Sequence, residues 1–318
     1  MLGANAKGAL LALAGFAIFA THDVIVKVLG AHYSPIQIVF FSVLLGFPLV
    51  LLMLIRDSSG GSLRARHPWW SAFRTVAVII TGFSAFYAFS VLPLAQTYAI
   101  LFATPLLITI LSIPLLGETV RLRRWLAVIA GLIGVMVVLR PGQSELGTGH
   151  LAALAAAVGS AFASIIVRKI GHEERSLVLL LYPMIGNVVV MGAALPLVYR
   201  PMPIEHLGGL ALIAGFAVLA TLCIIGAYKK GEAVVVAPMQ YSQILWATLF
   251  GYLFFDETLD LPTAVGAAII IASGLYILFR EGSGSVSENR PVLRTRSRPE
   301  TGTTLRIGAL MRRGQSRD

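Results

Sequence analysis

The chain has 318 residues and a net charge of +10, with 57% hydrophobic and 13% charged residues. Because a soluble domain has about 25% charged residues, this composition excludes a water-soluble globule and also disordered, collagen-like and coiled-coil chains. The single cysteine, Cys223, excludes an intrachain disulfide and a cysteine-built metal site. The composition therefore predicts an integral membrane protein.

Ten apolar stretches are long enough to cross a membrane, which takes about 20 residues in a helix. We predict spans at residues 8–29, 35–55, 69–91, 96–116, 121–139, 149–169, 176–199, 206–228, 233–255 and 261–279. Runs such as Leu10 to Ala20 are apolar on every side, which favours helices over the alternating strands of a membrane barrel. The predicted fold class is an all-α membrane protein with ten transmembrane helices.

Basic residues are distributed unevenly over the loops. With the N-terminus in the cytoplasm, the inside loops from Lys7 to Lys230 hold twelve lysines and arginines, and the outside loops hold only Arg140 and Arg200. Cytoplasmic loops carry an excess of such residues, so we expect both termini to be cytoplasmic. We expect the basic tail, 281–318, to be disordered and to lie near anionic membrane lipid, with a specific partner site as the alternative. Nucleic acid is not an expected partner.

The two halves of the chain match each other in sequence. A shift of 141 residues pairs Lys27 with Arg168, and a shift of 139 pairs Glu118 with Glu257, each followed by threonine. Since each half has five spans, an odd number, the two halves must be inverted relative to each other. Inverted repeats are typical of transporters with a site near the middle of the membrane. The predicted repeats are 1–142 and 143–280.

Several motifs resemble one family of transporters. They are Leu92-Pro93-Leu94-Ala95, Ala103-Thr104-Pro105-Leu106, Leu116-Gly117-Glu118-Thr119, Gly131-Leu132-Ile133-Gly134-Val135, Leu139-Arg140-Pro141-Gly142 and Asp256-Glu257-Thr258. Through them the chain resembles the EamA-type ten-helix members of the drug/metabolite transporter superfamily over residues 8–280. The resemblance implies a bacterial inner-membrane transporter of small metabolites, with a central cavity between two five-helix halves. Within the family the chain looks like exporters of aromatic and other amino acids, although Phe40-Phe41-Ser42 stands where many relatives have an arginine.

Ionisable residues inside a span need a reason, because burying one costs about 2.5–3.5 kcal/mol. His22, Asp23 and Lys27 lie in the first span, and the spacing of four places Asp23 and Lys27 on one helix face. We expect these two residues to pair, although Lys27 can also extend to the outer interface. The pair is either a structural contact or, with His22, a site that binds the amino and carboxylate groups of a zwitterion or carries a proton.

Uncharged polar residues cluster in the third, fourth, sixth and ninth spans and are further candidates for substrate binding. They are Ser84, Tyr87, Gln96, Tyr98, Thr104, Ser160, Ser164, Gln240, Tyr241, Gln243 and Trp246. Helix packing or interhelical hydrogen bonding explains each of them alone, but their clustering predicts a cavity. Pro105 and Pro238 each remove a backbone hydrogen bond inside a span, which makes them candidate hinges or tolerated kinks.

The predicted function is secondary transport by alternating access, with export or exchange of amino acids expected and import of a nucleoside- or sugar-type metabolite as the alternative. An intramembrane enzyme is a weaker hypothesis, because His172-Glu173-Glu174-Arg175-Ser176 lacks the second histidine of a HExxH zinc site. The sequence has no GxxxxGK[ST] loop, so we do not expect ATP-driven transport by this chain alone. We expect no catalytic residue, metal or cofactor. A receptor is the third class considered. The inverted repeat argues against it, because signalling does not need this symmetry. The sequence leaves the oligomeric state open.

Overall fold

The structure is a computed structural model that describes residues 3–55, 63–120, 122–141, 146–171 and 173–282. Within these ranges the secondary-structure elements are all helices, which confirms the predicted all-α class. The tail predicted at 281–318 lies outside the described residues except for its first two.

Twelve α-helices, α1 to α12, occur in the described ranges. They are α1 (Ala4–Gly30), α2 (Pro35–Ile55), α3 (Pro68–Val91), α4 (Leu94–Leu101), α5 (Thr104–Leu116), α6 (Leu122–Leu139), α7 (Thr148–Ile170), α8 (Ser176–Ala194), α9 (Ile204–Lys230), α10 (Ala233–Val236), α11 (Ser242–Phe255) and α12 (Leu261–Gly282). Two 3-10 helices lie at Leu195–Leu197 and Ala237–Tyr241. Among the described residues, eight helical segments are long and apolar enough to cross a membrane, with α4 and α5 forming one of them, and Pro35–Leu51 is a shorter ninth.

The fourth and ninth predicted spans each consist of more than one helix. The fourth consists of α4 and α5 with Pro105 in the first turn of α5. The ninth consists of α10, a 3-10 helix that contains Pro238, and α11. Proline lacks the N–H that continues a helix, and each break has a proline beside it.

The two breaks occupy equivalent places in the two repeats. A shift of 139 residues moves Thr104, where α5 begins, to within one residue of Ser242, where α11 begins. The prolines themselves do not align under this shift. The breaks are therefore a property of the repeated fold. The proline beside each break lies at a different position in the two repeats.

The main helix contacts between the two repeats are symmetric: each either has an equivalent with the repeats exchanged or joins two counterpart helices. α1 packs along α9, and α3 packs along α7. Since α7 is the counterpart of α1, and α9 of α3, this is one contact made twice. The counterparts α2 and α8, α4 and α11, and α6 and α12 also pack against each other. This pattern is that of two inverted five-helix repeats around an approximate two-fold axis.

Glycines allow the close approach of two of these helix pairs. A Cβ atom on Gly134 of α6 would lie 2.8 Å from the carbonyl oxygen of Gly266 on α12. A Cβ atom on Gly8 of α1 would lie 2.7 Å from the Cα atom of Gly231, directly after α9. Lipid gives helices no hydrophobic drive to associate, so close backbone contact at small residues stabilises such pairs.

We predict that Gly134→Ala lowers the free energy of unfolding by about 1–3 kcal/mol, the usual cost of overpacking a tight contact. The added methyl group would meet Gly266 and Ile270 of α12. Thermal unfolding in detergent measures the effect. Gly215→Ala is the matched control, because a Cβ atom on Gly215 of α9 meets no atom within 4 Å. Equal unfolding midpoints for the two variants would contradict this packing.

Candidate functional site

A cavity of about 80 Å³ lies between the two repeats. Helices α1, α2 and α3 line it from the first repeat, and α8 and α9 line it from the second. Its apolar wall includes Val39, Val43, Phe86, Met184 and Ile213. A concave, mostly apolar pocket with a few polar groups is the usual form of a site for a small molecule.

Among the described residues, four polar side chains line this cavity: His22, Ser42, Asn187 and Thr221. The hydroxyl groups of Ser42 and Thr221 each donate to the carbonyl oxygen four residues earlier, at 2.6 Å in both cases. Asn187 Nδ2 likewise donates to a carbonyl four residues earlier at 3.0 Å, and its Oδ1 is buried without a hydrogen-bond partner. These three side chains use donors within their own helices and retain oxygen atoms that can accept a hydrogen bond.

Only His22 among the predicted site residues is one of the described lining residues. Ser42, Asn187 and Thr221 were not among the candidates. One signal in the sequence concerned Asn187, which is an amide within an otherwise apolar span, and Ser42 is a hydroxyl residue in the similarly apolar second span. Thr221 carried no such signal, because a lone threonine in a membrane helix usually bonds its own backbone.

A buried chain of hydrogen bonds connects His22 to the second repeat. His22 Nδ1 lies 2.7 Å from Asp23 Oδ1, and the hydroxyl of Tyr98 donates to Asp23 Oδ2. Gln243 Nε2 on α11 donates to the Tyr98 hydroxyl oxygen at 3.2 Å. Asp23 has 0% of its surface exposed, so it lies behind the cavity wall. The network brings together four predicted site residues from three helices.

Lys27 pairs with Glu257 of the second repeat, whereas the sequence predicted Asp23 as its partner. Lys27 Nζ lies 2.8 Å from Glu257 Oε1 and donates to the carbonyl oxygen of Leu92 at 2.5 Å. Glu257 Oε2 accepts a hydrogen bond at 2.9 Å from the backbone N–H of Leu94, where α4 begins. The spacing within α1 gave no information about this partner, because Glu257 is brought to Lys27 only by the packing of α11 against α1.

The counterparts of these two residues form a second ion pair. Arg168, at the end of α7, binds Glu118, directly beyond α5. The neighbouring Lys169 Nζ donates to the carbonyl oxygen of Leu115 at 2.8 Å. Because the repeats are inverted, the two ion pairs lie at opposite ends of the bundle. Each joins the first helix of one repeat to the end of the broken span of the other.

The same backbone turn presents both glutamates. Gly117 and Asp256, which precede Glu118 and Glu257, have positive φ angles of 69° and 53°. The N–H groups of the two glutamates each donate to the carbonyl six residues earlier, at 3.3 and 3.0 Å. A left-handed residue directly after the last helical turn is a common way for a helix to end. The repeated motif of the sequence is therefore a repeated turn that fixes a glutamate.

The remaining predicted site residues lie within the helix packing, outside the described cavity lining. Tyr87 and Gln96 hydrogen-bond to α7, through Thr148 at 2.7 Å and His150 at 3.1 Å. Buried positions on α3, α5 and α7 are held by Ser84, Thr104, Ser160 and Ser164. The broken ninth span carries Gln240, Tyr241 and Trp246, with the Tyr241 ring against Phe102 and the Trp246 ring against Phe250.

We predict that Tyr98→Phe lowers the free energy of unfolding by about 1–3 kcal/mol, because it removes a buried donor from Asp23 and an acceptor from Gln243. Tyr87→Phe is the matched control, since its hydroxyl bonds Thr148 at a more exposed place. Thermal unfolding of both purified variants in the same detergent measures the difference. A larger loss in Tyr87→Phe than in Tyr98→Phe would contradict a stabilising role for the buried network.

One solved structure and several characterised bacterial proteins are similar to this chain. A crystal structure with 20% sequence identity superposes with a TM-score of 0.56 over 88% of this chain and 100% of that chain, which shows a shared fold. The S-adenosylmethionine uptake transporter of Rickettsia bellii is 26% identical, and the match covers 82% of this chain and 90% of the relative. The pseudopaline exporter of Pseudomonas aeruginosa is 25% identical, and the match covers 84% of this chain and 94% of the relative.

The same family model matches each of the two repeats separately. Residues 6–140 match the EamA-like transporter family, and residues 147–279 match it again. The two matched segments contain the two sets of five spans that the helix contacts relate to each other. The protein is thus a multi-pass membrane transporter, and the chain belongs to the EamA-like transporter family.

Proposed function

We propose that this protein is a secondary transporter of amino acids or amino-acid derivatives, which pass through the cavity between the repeats by alternating access. The observation that carries the proposal is the composition of the cavity wall, to which three helices of one repeat and two of the other contribute. A cavity shared in this way changes its access when one repeat moves against the other. The proposed location is the bacterial inner membrane, with both termini in the cytoplasm.

The names of two relatives support this substrate class. One is named for uptake of S-adenosylmethionine, which is an amino-acid derivative, and another for export of pseudopaline. Since similar chains carry the names of an importer and an exporter, the names do not determine the direction of transport. Export or exchange is our proposal, and the experiment below measures both directions.

The two ion pairs provide the proposed closing contacts. Lys27–Glu257 joins the repeats at one end of the bundle and Arg168–Glu118 at the other. Opening the cavity to one side separates the helices at that end, so the pair there breaks while the other remains. The broken spans that end at these glutamates supply the backbone freedom for this movement.

Counterflow in proteoliposomes tests the function and the cavity together. We expect radiolabelled leucine, or another amino acid of a panel with nucleosides and sugars, to exchange in the absence of ATP. Gly46→Trp should abolish exchange, because Gly46 lines the cavity and a larger side chain there fills it. Gly215→Trp is the control, since a Cβ atom on Gly215 of α9 would have no atom within 4 Å and this residue lies outside the described lining. Equal exchange by both variants would overturn the proposed pathway.

We predict that Lys27→Glu reduces the exchange rate about tenfold or more, equivalent to at least about 1.4 kcal/mol, by placing two acids together in a half-buried site. The double variant Lys27→Glu/Glu257→Lys restores opposite charges and should recover much of the rate. The exposed pair His67–Glu173 provides the control, and Glu173→Lys should change the rate less than twofold. Failure of the double variant to exceed Lys27→Glu would contradict a role for the pair in closing the cavity.

A further inference from the structure

We infer that His22 binds the carboxylate of the substrate as an imidazolium, so that an amino acid occupies the cavity together with one proton. The inference rests on the proposed function and names the residue that recognises one charged group of that substrate class. It also gives a role to Asp23, which lies behind the cavity wall and contacts the His22 ring.

His22 is the residue of the described cavity lining that can carry a positive charge. The other polar lining side chains, Ser42, Asn187 and Thr221, are neutral, and the described lining contains no lysine or arginine. Moving a carboxylate from water into an apolar cavity is strongly unfavourable unless a partner of opposite charge meets it. The carboxylate of an amino-acid substrate therefore needs a positively charged His22.

The lysine of the same helix is engaged elsewhere. Lys27 Nζ lies 2.8 Å from Glu257 Oε1 and donates to the carbonyl oxygen of Leu92 at 2.5 Å. Lys27 also lies outside the described cavity lining. The sequence made this lysine the candidate cation for a zwitterion, and its ion pair across the repeats leaves that role to His22.

Asp23 orients the His22 ring for this role. His22 Nδ1 lies 2.7 Å from Asp23 Oδ1, and the Tyr98 hydroxyl donates to Asp23 Oδ2. Because an ionised carboxylate only accepts hydrogen bonds, Nδ1 carries a hydrogen, and a proton from solution adds at the other nitrogen, Nε2. Nε2 then donates to the ligand carboxylate, while the Asp23 charge stabilises the positive ring.

The remaining surroundings of His22 leave Nε2 open to a ligand. Among the described residues Nε2 makes no hydrogen bond, and it is not one of the buried nitrogens enclosed without a partner. The rings of Phe19 and Phe86 meet the imidazole edge-on, at centroid distances of 6.4 and 6.0 Å. The hydroxyl groups of Ser42 and Thr221, from α2 and α9, donate to backbone carbonyls of their own helices and are neutral. The charge of the described wall therefore follows the proton on His22.

Leucine and leucinamide compared on wild-type protein test the recognition of the carboxylate. Leucinamide keeps the shape and the ammonium of leucine and replaces the carboxylate by a neutral amide. Competition with the labelled amino acid that exchanges in the counterflow panel, on purified protein in detergent at pH 6, measures both affinities. We expect leucinamide to bind at least about tenfold more weakly than leucine, equivalent to about 1.4 kcal/mol. Equal binding of the two compounds would overturn the inference.

His22→Gln provides the residue-level test. Glutamine has a similar size and stays neutral, so we expect leucine affinity to fall at least about tenfold and leucinamide affinity to change less than about threefold. A merely distorted cavity would weaken both compounds alike. His150→Gln is the matched control, because His150 is also a buried histidine but contacts Gln96 outside the described lining. An unchanged preference for leucine in folded His22→Gln protein would contradict the role of His22.

The pH dependence of leucine binding tests the accompanying proton. Leucine remains a zwitterion between pH 5 and pH 8, so a change in its affinity over this range comes from the protein. We expect the affinity of wild-type protein to fall as the pH rises, because binding requires the proton on Nε2, and we expect His22→Gln protein to lose this dependence. A constant affinity of wild-type protein over the range would overturn the requirement for a proton.

The wild-type measurements still decide the inference if His22→Gln protein does not fold. The two proposals also fail separately. Absence of exchange for every compound of the counterflow panel would overturn the proposed function. Exchange that is blocked by Gly46→Trp, together with equal binding of leucine and leucinamide, would preserve the proposed function and overturn the recognition of the carboxylate alone.

Discussion

A charged side chain within a bilayer is stable only beside a partner, and in this protein two basic side chains find their acidic partners in the opposite repeat. Lys27 reaches Glu257 and Arg168 reaches Glu118, so each repeat supplies the acid that the other requires. Tyr98 and Gln243 connect the repeats once more through the buried carboxylate network. These polar groups pair across the repeat boundary, which ties the inverted arrangement to the stability of the chain.

The spans and the inverted repeat were predictable because hydropathy and charge are properties of local sequence. The helix breaks were less so. Pro105 and Pro238 marked them, but a proline in a membrane helix is often tolerated as a kink, and the two do not align in the repeat. The equivalence of the breaks becomes visible only when α5 and α11 are seen to begin at matching positions. The partner of Lys27 could not be predicted either, because Glu257 is 230 residues away in the chain and only the folded structure brings the two together.

The cavity wall was the least predictable part, and its residues show why. Polar side chains were counted in the sequence by type and span, which selected Tyr98, Gln243 and other residues that the packing buries against neighbouring helices. Asn187 contributes to the wall because of the face of α8 that it occupies, and a single sequence does not specify which face of a largely apolar helix meets the centre of a bundle. Among the described lining residues, His22 met both criteria, since it is polar and lies on the inner face of α1.

The two closing ion pairs are equivalent in position but differ in chemistry. Arg168 presents a planar guanidinium, of which one nitrogen, Nη2, binds Glu118 Oε1, whereas Lys27 presents a compact ammonium that divides its hydrogens between Glu257 and a backbone carbonyl. Two identical repeats would give inward-open and outward-open forms of equal free energy. Unequal pairs remove that degeneracy, and a difference of about 1.4 kcal/mol between them changes the population ratio tenfold. In the proposed transport cycle, the difference between these two ion pairs gives the unloaded carrier a preferred orientation.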